Sequence, residues 1–162
     1  MPYRIGIMGD THAYYASAQQ AVKQMGDVDV LIHVGDYIRD AQRLSREFQR
    51  EIICVQGNCD PMADEPLTRL IELGGWKLFI AHGHQYSVKF SLERFTMAVK
   101  EAGAQIGIYG HTHMPQVSFD EGIYFISPGS TGEPRGSGPT FALLHLTDDK
   151  VIPQIVRIDE RR

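Results

Sequence analysis

"RIGIMGDTH", residues 4–12, decides how the chain is read. A short apolar run ends in glycine, and a carboxylate and an imidazole stand directly behind it. The pattern returns in "VLIHVGD" (30–36), "IICVQGNCD" (52–60), "LFIAHGH" (78–84) and "IGIYGHTH" (106–113). Each run is rich in Ile, Val and Leu and nearly continuous, as strands covered on both faces are. Between the first three lie amphipathic segments of helical period, "SAQQAVKQM" (17–25) and "DAQRLSREFQ" (40–49), the second with Asp40 as its N-cap. Strand–helix–strand steps of about 25 residues imply parallel crossovers. In open α/β sheets ligands collect at the carboxyl ends of strands, and all five polar clusters fall there.

The fourth step differs. "TRLIEL" and "WKLFIA" flank "GG" at 74–75, which reads as a two-residue hairpin turn. A helix is expected over 87–103, closed by Gly103, although its apolar positions Phe90, Phe95, Met97 and Val99 are only roughly helical in spacing. The remainder is strand-rich: "QVSF", "IYFIS", "TFALLHL" and "VIPQIVRI", with a three-residue "DEG" joining the first two. The expected architecture is α/β. Two packed mixed β-sheets form a sandwich flanked by helices, as one domain over residues 1–162, with the polar clusters at one edge.

Composition bounds the function. A chain of 162 residues with 43% hydrophobic and 22% charged residues has the size and balance of one folded, soluble domain. No apolar run reaches the roughly 18–20 residues of a membrane helix. The N-terminus "MPYRIGIMGD" enters a strand without a signal-peptide pattern, so a cytoplasmic location is expected. The two cysteines, Cys54 and Cys59, are then expected to be reduced thiols, with Cys54 serving as buried packing. Net charge is −4 and the basic residues are scattered. That argues against stable binding to duplex nucleic acid. It leaves room for a small phosphorylated substrate held through metal ions.

Seven side chains gather at the strand ends: Asp10, His12, Asp36, Asn58, His82, His111 and His113. Mixed oxygen and nitrogen donors suit Mn, Fe, Co, Ni or Zn better than Mg or Ca. Seven ligands exceed one open site but fit two sites that share a carboxylate. Two cations about 3.5–4 Å apart acidify a shared water and clamp a phosphoryl group.

The ordered motifs "GDTH", "GD", "GNCD", "HGH" and "GHTH", followed by "SPGS" at 127–130, resemble the calcineurin-like metallophosphoesterase family, in particular its small bacterial and archaeal phosphodiesterases. The resemblance implies a fold of two packed mixed sheets flanked by helices. It implies that Asp10, His12 and His113 hold one metal, that Asn58, His82 and His111 hold the other, and that Asp36 bridges them. Two divalent transition-metal ions, Mn foremost with Ni, Fe, Co and Zn as alternatives, would supply a metal-bound hydroxide that attacks phosphorus in line. Small phosphate esters would be the substrates. Homo-oligomers are common among similar small members. In many larger members the residue after this Asn is a His that protonates the leaving group. Here it is Cys59, which is expected to line the site without attacking phosphorus. The alternative function is a protein-interaction scaffold that kept the fold and lost activity, similar to the retromer subunit. The complete ligand set favours the enzyme.

Other polar residues have plainer readings. Taken alone, Asp10 and Asp36 read equally as helix caps. His33 and His145, inside apolar runs, read as hydrogen-bonded core or sheet-face residues. Asp60 reads as a turn cap, and Tyr14 and Tyr15 as packing. Arg135 in "GEPRGSG" is a candidate for binding substrate phosphate.

Overall fold

The computed structural model describes residues 2–60, 64–136 and 138–159. Elements run β1 (Tyr3–Met8), α1 (Tyr15–Met25), β2 (Val30–His33), α2 (Ile38–Phe48), β3 (Ile53–Cys54), β4 (Thr68–Leu73), β5 (Trp76–Ala81), α3 (Glu93–Glu101), β6 (Ile106–Ile108), β7 (Pro115–Asp120), β8 (Ile123–Pro128), β9 (Thr140–Leu146) and β10 (Val151–Arg157). Two five-stranded sheets form, in the orders β10-β9-β1-β2-β3 and β4-β5-β6-β8-β7. The expected crossovers are present, since β1, β2 and β3 pair in parallel. So do β5, β6 and β8. Antiparallel strands close the edges, which makes both sheets mixed.

The interior follows from side-chain alternation. Ile5 and Ile7 of β1, with Ile32, Val34 and Val55, face Leu78, Ile80, Ile106, Ile108 and Ile126 of the other sheet. The opposite face of the first sheet is covered by the helices. Ala18, Ala21, Val22 and Met25 of α1 recur at helical spacing, and Leu44 of α2 joins them. On the second sheet, Phe95 and Val99 of α3, one turn apart, pack with Phe79, Tyr109 and Phe125.

Local differences from the expected elements have simple causes. α2 begins at Ile38, so Asp40 lies in its first turn rather than at its N-cap. α3 begins only at Glu93, because Ser87 is left-handed (φ 54°) and a 3₁₀ turn occupies His84–Tyr86. Phe90 and Met97 are exposed. The 120–123 link is a two-residue turn, since Asp120 pairs with Ile123 and both Glu121 and Gly122 have positive φ. The Gly74–Gly75 hairpin has the expected form, with Leu73 paired to Trp76.

The glycines that end the runs have a packing reason. A Cβ on Gly9 would lie 2.2 Å from Val34 Cγ2, and one on Gly110 would lie 2.7 Å from the same methyl. Val34 therefore wedges between the ends of β1 and β6 and draws the two sheets together there. Gly9→Ala should cost about 1–3 kcal/mol through overpacking. Gly9→Ala combined with Val34→Ala should lose less than the sum of the single changes, because the nearest remaining atoms would then stand at 3.4 Å. Denaturant unfolding of the three variants measures this coupling, and strictly additive losses would refute the wedge.

Candidate metal centre

The strand ends deliver two side-chain groups. Donor atoms of Asp10, His12, Asp36 and His113 lie within 4.8 Å of one another, as do those of Asp36, His82 and His111. Six of the seven expected ligands are thus brought together, and Asp36 belongs to both groups. Its Oδ2 stands 3.6 Å from His12 Nε2 and 3.3 Å from His82 Nε2. Asn58 is exposed on the adjoining turn, its amide nitrogen 3.7 Å from Cys59 Sγ. Among the described residues it makes no hydrogen bond to an imidazole.

Backbone conformation is unusual at these positions. Asp10, His12, Asp36, His111 and His113 all have positive φ, a left-handed region that Asp and His tolerate better than most residues. Hydrogen bonds fix them there. Asp10 N–H donates to the Gly35 carbonyl at 3.0 Å, and Ser130 Oγ donates to the Asp10 carbonyl at 2.6 Å. Asp60 Oδ2 accepts the N–H groups of Asp36 (2.8 Å) and Gly57 (3.0 Å), while Oδ1 accepts that of Ile38 (2.9 Å). Asp60 therefore caps α2 and sets Asp36 at once. The Cys59 N–H donates to Asp36 Oδ1 at 2.8 Å, leaving Oδ2 toward the imidazoles.

Carbonyl groups also set the histidine tautomers. A carbonyl only accepts, so His82 Nδ1–H donates to Val34 O at 2.9 Å and His113 Nδ1–H donates to Glu133 O at 2.6 Å. Each neutral ring then presents the lone pair of Nε2 inward. Those nitrogens meet further imidazoles: His113 Nε2 is 3.2 Å from His12 Nε2, and His82 Nε2 is 3.2 Å from His111 Nδ1. Asp10 Oδ2 accepts the His111 N–H at 3.1 Å. Its Oδ1 is buried without a hydrogen-bond partner among the described residues, 3.4, 3.7 and 3.8 Å from Nε2 of His113, His12 and His82. Converging lone pairs around an orphaned carboxylate oxygen need a positive centre, and a divalent metal with mixed N and O ligands fits that need.

Electrostatics agree. Burial pushes the Asp10 carboxyl up, but the His113 and His12 rings and the charge of His82 more than reverse this, holding it below the usual range. Asp36 is lowered against burial by His82 and by the Cys59 N–H. His12 is raised, chiefly by Asp10. His82 is raised because Asp36 and Asp10 outweigh its burial. His111 is pushed down to about 4 by burial and by the charges of His82 and Lys89.

Several residues fall elsewhere. His33 is fully buried: its Nδ1 accepts the Gly35 N–H at 3.1 Å and its Nε2 lies 3.3 Å from Thr11 Oγ1. Burial keeps it neutral by lowering its pKa. His145 is exposed on β9. Tyr15 packs in the helix-side core, whereas Tyr14 is exposed rather than packed. Among the described residues, Arg135 is tied to the site by its backbone N–H, which donates to the His113 carbonyl at 3.0 Å. Sequence reasoning undervalued Asp60 and missed Ser130. Both stand inside quoted motifs, "GNCD" and "SPGS", and that was the available signal.

The chain belongs to the calcineurin-like phosphoesterase superfamily, whose domain description matches residues 3–149. A phosphodiesterase of Methanocaldococcus jannaschii is 29% identical over 174 residues, covering 94% of this chain and 98% of that one. The crystal structure of a conserved protein of Streptococcus pneumoniae TIGR4, a predicted phosphoesterase, superposes with a TM-score of 0.85 at 28% identity, covering 97% of this chain and 90% of that one. Vacuolar protein sorting 29 of Cryptosporidium parvum shares the fold with a TM-score of 0.82 at 17% identity, covering 98% and 93%. These likenesses agree with the fold and family expected from the motifs. No helix among the described residues is long and apolar enough to cross a membrane.

The raised histidines carry a pH consequence. Protonated His12 and His82 compensate Asp10 and Asp36 in the metal-free chain. Their folded pKa values lie above the reference of about 6.5, so this stabilisation is complete below that pH and is lost as pH rises through the folded values. In metal-free protein the parent's thermal-melt advantage over a His12→Gln variant should shrink from about pH 6 to about pH 9, while the lowered His33 and His111 add the opposite trend to both proteins alike. Added Mn²⁺ should stabilise the parent most at the alkaline end. A parent advantage that holds or grows over that range would contradict this reading of the charges.

Proposed function

We propose that the chain is a divalent-metal-dependent phosphodiesterase acting on small phosphate esters in the cytoplasm. Asp10, His12 and His113 hold one cation, Asn58, His82 and His111 hold the other, and Asp36 is shared. The observation that carries this reading is the membership of Asp36 in both donor groups, with Oδ2 facing one imidazole of each. The related M. jannaschii protein, itself called a phosphodiesterase, supports the reaction class. Manganese is the cation we propose, with Ni, Fe, Co and Zn as alternatives of similar donor preference.

When bound, such cations acidify water and neutralise a phosphoryl group. The chain's own residues prepare the place. Val34 and Glu133 carbonyls orient His82 and His113. Asp60 and the Cys59 N–H hold Asp36 against rotation. The reaction adds water across one P–O bond: water oxygen joins phosphorus, and the ester oxygen departs, taking one of water's protons. At the position after Asn58, Cys59 offers a thiol raised to about 11 by partial burial and by the charge of Asp36. Such a group donates a proton poorly at neutral pH, so esters with weakly basic leaving groups are the preferred substrates.

Metal analysis and hydrolysis of bis(p-nitrophenyl) phosphate with Mn²⁺ test this directly. The parent should hold two metals per chain and turn over. Asp36→Asn should lower occupancy of both sites and reduce activity by about 10²-fold or more. Near-normal turnover with two metals retained in that variant would overturn the shared-carboxylate assignment. Full occupancy in the parent with no turnover would favour a scaffold of the same fold.

Cys59→Ser should keep substantial diesterase activity, because its contribution to Asp36 comes from the backbone N–H. Cys59→His should gain up to about 10²-fold with poor leaving groups and little with good ones. Rates across a leaving-group series, at checked metal occupancy, measure this. Complete loss in the fully metallated Ser variant, with a trapped phosphocysteine in the parent, would make Cys59 the nucleophile.

A further inference from the structure

Beside the "GHTH" loop runs a groove of about 670 Å³. Thr112, between His111 and His113, forms part of its wall, and Lys89, Phe90, Met114, Gln116 and Arg135 form much of the rest. The groove therefore borders the loop that carries His111 and His113. Lys89 stands near enough for its charge to act on His111. The Arg135 N–H is bonded to the His113 carbonyl at 3.0 Å.

The lining is distinctive. No acidic residue among those described contributes to it, in a chain whose net charge is −4. Among the described residues, the lysine and arginine ion pairs are Arg69–Glu65 and Lys100–Glu121, and neither Lys89 nor Arg135 joins one. Phe90 is 91% exposed and Met114 is 53% exposed. The exposure of Phe90 is built in: its N–H donates to the Ser87 carbonyl at 3.0 Å, and Ser87 is left-handed, so a tight turn lifts the ring out ahead of α3. An exposed aromatic ring beside unpaired cations is the pairing that binds a flat ring by stacking and an anion by charge. A methionine in the same lining, Met114, adapts to the shape of either.

We propose that this groove seats the second ester arm of the substrate and selects an arm carrying a planar ring and a further anionic group, the chemistry of a nucleotide. The inference rests on the phosphodiesterase reading for the phosphoryl group, but the groove is made of residues outside the candidate ligands. Phe90 stacks the ring, and Lys89 and Arg135 hold the added anion.

The test compares thymidine 3′,5′-bisphosphate with thymidine 5′-phosphate by titration calorimetry, with and without Mn²⁺. The parent should bind the bisphosphate about tenfold more tightly, as two partly screened charge contacts allow. In the Lys89→Gln, Arg135→Gln double variant the ratio should fall to about one. Phe90→Ala should weaken both nucleotides about fivefold or more and leave their ratio intact. These positions are exposed, and far-UV circular dichroism checks that each variant folds. A parent ratio near one, a ratio that survives both glutamines, or no binding of either nucleotide overturns the proposal. Hydrolysis of p-nitrophenyl thymidine 5′-phosphate is measured alongside. Selective binding without hydrolysis at full metal occupancy supports the groove and rejects the catalytic reading. Hydrolysis of this ester with no preference for the bisphosphate rejects the groove and leaves catalysis standing.

Discussion

Asp10 and Asp36 are buried together, with 0% and 2% of their surfaces exposed and carboxylate oxygens within 4.8 Å of one another. Two like charges in that position are strongly unfavourable unless positive partners surround them. Raised His12 and His82 supply that charge as protonated rings, while His111 is pushed down to about 4 and stays neutral. A structure whose only aim was stability would place apolar side chains here. The carboxylate pair is tolerable because the protein can hold positive charge between the rings, as protons or as metal ions.

The fold meets this demand by meeting its two sheets at one edge. Asp10 and Asp36 come from the first sheet, and His82, His111 and His113 from the second. Bonds across the seam fix their relation: His82 Nδ1 to the Val34 carbonyl and His111 N–H to Asp10 Oδ2. Five of the candidate ligands adopt left-handed backbone, a conformation that costs on the order of 1 kcal/mol or more at each non-glycine residue. Such geometry persists only where neighbours over-determine it. Asp60, Ser130 and the Gly9–Val34–Gly110 wedge supply that determination. Strain is thus concentrated where chemistry needs it, and the strands behind remain regular.

Much of this was legible in the sequence because period and punctuation agree there. Apolar runs ended by glycine located β1, β2, β5 and β6, and residues 17–25 and 40–49 located α1 and α2 to within two residues at each end. Six of the seven candidate ligands converge as their motif positions implied. What escaped reading depends on distant partners. Asp60 looks like a local turn residue, and only the fold brings Ile38 and Asp36 to its oxygens. The start of α3 was misplaced because a left-handed Ser87 is invisible in a stretch of good helix formers. Phe90 counted among the apolar positions of that helix for the same reason, and its exposure became apparent only once the turn was known. Strand order also lay beyond the pattern, since nothing local tells β9 to pair with β1 rather than with its neighbours in the second sheet.

Cys59 brings these threads together. The carboxylate that gathers imidazoles also faces the thiol, and with partial burial it raises that group to about 11. Without cations, then, Cys59 presents no thiolate at neutral pH, and once His12 and His82 give up their protons the two carboxylates repel an approaching phosphate. Lys89 and Arg135 lie to one side, where they attract an anion but cannot cancel the charge at the centre of the ring cluster. The carboxylates therefore disfavour both a Cys59 thiolate and, when the imidazoles are neutral, the approach of a phosphate. Positive charge at the carboxylates reverses the repulsion, and an imidazolium can do so only by occupying the same lone pair that a metal requires. Under the phosphodiesterase reading, metal loading must precede productive substrate binding, because nothing else in the constellation supplies both attraction for phosphate and a nucleophile to attack it.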